Sequence, residues 1–75
     1  MTLKYVGSKA FDYPLAEFNY EEEELERFMK IAQALEVEGY KIDTGVQGWA
    51  AIRVEDHSEF EEIKRIWKDL KRKIH

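Results

Sequence analysis

His57 and Glu61, four residues apart, are the pair in this chain best spaced for proton transfer, since side chains at that separation meet on one face of a helix. The same pair would supply half of a metal site, but no third ligand follows at metal-binding spacing and the chain has no cysteine. A histidine standing partly exposed beside a helix cap is the plainer reading. Glu21, Glu22, Glu23 and Glu24 set four carboxylates in a row, yet neighbours on a helix diverge and cannot flank one substrate bond. The run suits the solvated first turn of a helix, whose dipole favours negative charge. No nucleophile stands in a pattern with a general base, so no catalytic residue, metal ligand or cofactor is expected.

Asp43-Thr44-Gly45, directly after the apolar Ile42, resembles the triplet with which retroviral-type aspartic proteases present one carboxylate of a shared-proton dyad. The resemblance covers those residues only. The apolar-apolar-glycine segment that the family carries further on is missing, and Asp, Thr and Gly are ordinary turn residues. Gly45-Val46-Gln47-Gly48 is similar to the GxxG loop with which KH domains clamp a nucleic-acid backbone. In that family the loop joins two helices, whereas here strand-like residues flank it and it lacks a basic residue, which reads as a hairpin turn.

The elements that would carry these groups follow from periodicity. Leu3 and Tyr5 alternate with Lys4 and Val6, Gly7-Ser8 interrupts, and Phe11 and Tyr13 alternate with Ala10 and Asp12, which predicts a first hairpin within residues 1–13. With residues 7–9 as the loop, Leu3, Tyr5, Phe11 and Tyr13 share one face and Lys4 opposes Asp12. Pro14 ends the strand, and residues 14–18 are a connector. Asn19, with Glu22 three residues on, caps a helix over residues 20–38 whose inward face is Leu25, Phe28, Met29, Ala32 and Leu35, and Gly39 closes it. A second hairpin spans residues 40–55 and turns at residues 45–48. It directs Tyr40, Ile42, Ala50, Ile52 and Val54 inward and Lys41, Trp49, Ala51 and Arg53 outward. Asp56 or Ser58 caps a second helix, residues 58–74, with the stripe Phe60, Ile63, Ile66, Trp67, Leu70 and Ile74.

The order ββαββα predicts an α+β fold: a four-stranded antiparallel sheet of two hairpins, two helices packed on one face, and the other face open. Residues 19–29 resemble residues 57–67, as a doubled unit would. A chain of 75 residues makes a single domain, since a unit of this size buries only about 60% of the surface its unfolded chain exposes. Its 44% hydrophobic content is globular despite 37% charged residues. Lacking a disulfide staple, it is a candidate for self-association as a homodimer. Absence of cysteine, of a signal-type apolar run and of a membrane-length stretch points to the cytoplasm and to no membrane partner.

Charge is divided along the chain. Residues 17–38 hold eight glutamates against Arg27 and Lys30, a balance of -6, whereas residues 64–75 hold Lys64, Arg65, Lys68, Lys71, Arg72 and Lys73 against Asp69, a balance of +5. Antiparallel helices would bring the two blocks together as intramolecular pairs of little energetic weight. Parallel helices, the simpler outcome of a repeat, would leave each block to find a partner elsewhere.

These features predict a small, acidic, non-enzymatic protein-interaction module. Glu21, Glu22, Glu23, Glu24 and Glu26 would face a basic or nucleic-acid-binding surface of a partner protein, and Trp49, Ala51 and Arg53, with Lys41 nearby, would anchor an interface. The alternative for Trp49 is that it caps an edge of the core or lies under the connector. In size and composition the chain is similar to phage or mobile-element inhibitors of host enzymes, including anti-CRISPR proteins. The competing function is nucleic-acid binding by the open sheet face and the basic second helix, through Lys64, Arg65, Lys68, Lys71, Arg72 and Lys73.

Overall fold

A computed structural model of the chain describes residues 1–8 and 12–75. Strands β1 (Thr2–Val6) and β2 (Leu15–Asn19) precede a 3-10 turn at Glu22–Glu24 and helix α1 (Leu25–Val37). Strands β3 (Ile42–Val46) and β4 (Trp49–Arg53) precede helix α2 (His57–Lys73). The sheet is antiparallel throughout, in the order β1-β2-β4-β3, with both helices against one face. This is the ββαββα architecture that the periodicity predicts.

The second strand lies where a connector was expected. Leu15–Asn19 alternates as a strand should: Ala16 and Phe18, followed by Tyr20, enter the core, while Glu17 and Asn19 take the other face. Pro14 opens this strand rather than ending one. It stands just before the first paired residue, where a missing N–H costs nothing, and its carbonyl accepts the Val54 N–H at 3.1 Å. Lys4 therefore opposes Glu17 and not Asp12. Leu3 and Tyr5 belong to the helix side, where Tyr5 meets Phe60 edge-on at 5.4 Å, whereas Tyr13 lies on the opposite side beneath Arg53. The expected strand position of Phe11 falls outside the described residues.

Asn19 is the last residue of β2 and caps no helix. Glu21 and Glu24 form the start instead: the Glu24 carboxylate accepts the Glu21 N–H at 3.0 Å and the Glu24 N–H donates to the Glu21 carbonyl at 2.9 Å. The packing of α1 on the sheet and on α2 buries the stripe Phe28, Ile31, Ala32 and Leu35 and leaves Leu25 and Met29, both expected inside, 37% and 46% exposed. At the far end Gly39, with φ +102°, carries the chain out of α1. Its N–H reaches the Glu36 carbonyl and that of Tyr40 the Leu35 carbonyl, closing a Schellman motif. The second helix starts as expected, with the Asp56 carboxylate accepting the Glu59 N–H at 2.9 Å.

The core joins the helix faces of the two central strands to both helices. Phe18, Phe28, Ile31, Leu35 and Ile63 are fully buried, and Tyr20 stacks on Phe28 at 4.2 Å. Exchanging the two ββα halves maps the strand order onto itself, so a doubled unit here has antiparallel helices, contrary to the parallel arrangement expected of a repeat. Phe28, Ile31 and Leu35 then correspond to Phe60, Ile63 and Trp67, each 32 residues on, a different register from the 38 of the likeness in sequence. The outer edges are β1, with Lys4 pointing away from the core, and β3, whose pairing with β4 shifts by one residue between Asp43 and Val46.

Candidate functional site: the helix-free face of the sheet

Alternation along β4 places Ala50, Ile52 and Val54 in the core and Trp49, Ala51 and Arg53 on the opposite face, as the sequence pattern implies. Cross-strand register then sets Lys4, Glu17, Ala51 and Asp43 in one row across all four strands. Trp49 stands beside Asn19 on one side of this row and Arg53 beside Leu15 on the other. The Arg53 guanidinium carbon lies 4.0 Å above the centre of the Tyr13 ring, a cation-π contact that holds both groups in place. Ala51, expected as part of an exposed stripe, is only 4% exposed, and Leu15 only 5%. Their larger neighbours wall them in, so they are the floor of a shallow concavity of about 770 Å³ rather than contact points. Trp49 is half-buried, outside the core, and covered neither by a helix nor by residues 14–18, which pair with its own strand as β2.

Polar groups fix this face. Glu17 accepts the Asn19 side-chain amide at 3.1 Å and faces the Lys4 ammonium at 3.5 Å. Its carboxyl is held below the usual range, first by the Asn19 hydrogen bond, with the Trp49 indole and Lys4 adding to it against an opposing desolvation. Asp43 turns its carboxylate onto its own backbone, accepting the Gly45 N–H at 3.0 Å. Gly45 and Val46 are strand, and the turn is Gln47-Gly48 with Gly48 at φ +84°, so the protease-like triplet and the GxxG string both form the bulge and turn of one hairpin. Among the described residues no carboxylate lies within ion-pair distance of Arg53 or Lys41.

The two charged blocks meet at one end of the helix layer. Arg27, in the first turn of α1, donates from Nε to the Ile74 carbonyl at 2.8 Å and from its second amino group to the Lys71 carbonyl, so the start of α1 adjoins the end of α2. At the opposite end Tyr40 lies close to Glu59 and Glu62; burial first, then these charges, push its hydroxyl pKa up. The helices are therefore antiparallel. Of the acidic run, Glu24 is engaged with the Met1 ammonium at 2.9 Å, while Glu21, Glu22, Glu23 and Glu26 remain exposed. On α2, Asp69 binds Lys73 at 2.9 Å and Arg72 at 3.5 Å, and Lys71 sits 4.3 Å over the Trp67 ring. Lys64 and Arg65 lie further back along the helix. All six basic residues of α2 are on the helix layer, so they and the open sheet face do not form one continuous surface.

His57 and Glu61 do meet, at 3.6 Å, in an exposed position where the imidazole stands edge-on to Tyr5 at 4.9 Å. No group of three metal-binding side chains exists among the described residues, and no helix among them is long and apolar enough to cross a membrane. Arg27 is the residue that sequence reasoning missed. Its partners are backbone carbonyls 44 and 47 residues away, which no local spacing reveals. No protein-family model matches the chain, and comparisons with curated proteins and with solved structures find no match either.

Proposed function

We propose that the chain is a non-enzymatic protein-interaction module that docks through the helix-free face of its sheet. One observation carries this reading: Trp49, Tyr13 and Arg53 gather on the face that the core does not use, around a floor already closed by Leu15 and Ala51. Tryptophan, tyrosine and arginine dominate binding energy at protein interfaces, and they do so around desolvated pockets of this kind. Lys41 and Arg53 extend the surface with cations that have no carboxylate partner among the described residues, so a partner can supply one. A standard interface takes about 800 Å² from each partner, roughly a sixth of this chain's 5103 Å².

The finer reading, an inhibitor that presents Glu21, Glu22, Glu23, Glu24 and Glu26 to a basic surface, draws less support. Glu24 is engaged internally, and the remaining carboxylates share their end of the molecule with Arg27 and the cations of α2. Affinity capture from a source lysate tests the proposal, using the native chain, Trp49→Ala, Arg53→Glu and the double charge reversal Glu22→Lys with Glu23→Lys. The expected result is a partner retained by the native chain and the double reversal but lost with either sheet-face variant. A partner that survives both Trp49→Ala and Arg53→Glu refutes the assigned face.

A further inference from the structure

Arg27 from α1 and Lys68, Lys71 and Arg72 from α2 line a shallow groove of about 550 Å³ at the end of the helix layer, with no carboxylate in its walls. The sheet-face concavity, by contrast, has two carboxylates, Asp43 and Glu59, among its lining residues. We propose that this groove binds a multiply charged phosphate group, independently of the sheet face.

Three observations support the assignment. Arg27 is fixed by its bonds to the Lys71 and Ile74 carbonyls, which use two of the five guanidinium N–H donors and hold the planar fork ready for an oxyanion. Lys71 is likewise placed, over the Trp67 ring. Lys68 repels Lys71 and Arg72 at i, i+3 and i, i+4 on one helix side, and the one carboxylate of this stretch of α2, Asp69, is shared between Arg72 and Lys73. A compact anion bearing three or more charges relieves that repulsion far more than a single carboxylate does. Glu23, Glu24 and Glu26 line the neighbouring concavity on the other flank of Arg27, which makes the affinity modest and sensitive to salt.

The test is titration of the full chain with sodium tripolyphosphate at low ionic strength, followed by calorimetry and by backbone amide shifts. Saturable one-to-one binding is expected, with shifts concentrated at residues 27 and 68–72. The double variant Lys68→Gln with Arg72→Gln should weaken binding by about tenfold or more, while Lys64→Gln with Arg65→Gln, which removes the same charge outside the groove, should change it less than about twofold. Lys68 and Arg72 are exposed, so the first variant leaves the fold intact, as a thermal melt verifies. Competition by a nucleoside triphosphate, or capture by vesicles containing a phosphoinositide, assigns the source of the phosphate, and each supports the site. Equal weakening by both double variants, shifts that map elsewhere, or no saturation overturns it.

Discussion

Arg27→Ala removes a cap that one helix places on the end of another. Helix α2 ends at Lys73, so the carbonyls of its last residues lack partners within the helix, and Arg27 satisfies two of them, Lys71 and Ile74. A hydrogen bond to a charged group contributes about 1.5–3 kcal/mol net. In this half-buried setting each bond falls at or below the lower bound, which puts the pair at about 2–3 kcal/mol. A chain of this length has a total stability of about 4–11 kcal/mol, so the variant loses about a fifth to three-quarters of it, and its melting temperature drops by about 8–24 °C. Arg27→Lys keeps the charge without the planar fork and should lose about half as much. Because the acceptors are neutral carbonyls, the loss should persist in about 0.5 M salt, where exposed charge pairs are screened. Urea unfolding followed by circular dichroism, at both salt concentrations, measures it. A loss below about 0.5 kcal/mol, the scale of an ordinary surface substitution, refutes the cap. A loss that disappears in salt shows that Arg27 acts only through its charge beside Glu24.

The Trp67 indole N–H is buried and has no acceptor among the described residues. Trp67→Phe should therefore stay within about 1 kcal/mol of the native stability, since relief of that orphaned donor offsets the smaller ring, whereas Trp67→Ala should cost about 3–5 kcal/mol in urea unfolding. The same substitution isolates Trp49, whose emission in Trp67→Phe should be readily quenched by acrylamide, while the emission of Trp67 in Trp49→Phe should be protected. Glu17 is depressed in the folded state, so its contribution is complete above the unfolded carboxyl pKa and is lost as pH falls through the lower folded value. Carbon-detected titration should place Glu17 below the ordinary carboxylate range, and Asn19→Ala should raise it more than Lys4→Met does. Gly48→Ala should cost about 1 kcal/mol in thermal unfolding, because φ +84° there penalises a side chain.

How much of this was legible depends on whether the deciding contact is local. Helix α2 was, because Asp56 caps it within three residues and Phe60, Ile63 and Trp67 repeat at helical spacing. The facing of β4 was too, since Ala50, Ile52 and Val54 against Trp49, Ala51 and Arg53 have only two ways to alternate. Strand β2 was obscured by two local signals that tertiary pairing outweighs. Pro14 reads equally as a stop or as a start, and Asn19 with Glu22 imitates a capping box although Asn19 pairs with Trp49 across the sheet. Leu25 and Met29 were misplaced because the spacing of α1 fits two adjacent faces, and packing selects the one that carries Ile31. The closure of Ala51 and the reach of Arg27 depend on residues distant in sequence and became visible only in three dimensions.

The shifted register of β3 and the outward lysine of β1 determine how copies of this molecule can meet. A ribbon grows sideways when an outermost strand offers a flat, evenly spaced row of donors and acceptors to the next chain. Here one margin is buckled between Asp43 and Val46, and the other would bring Lys4 against its own kind. Fibril-like stacking is thereby discouraged at both margins, and any lasting encounter is directed to the broad surfaces.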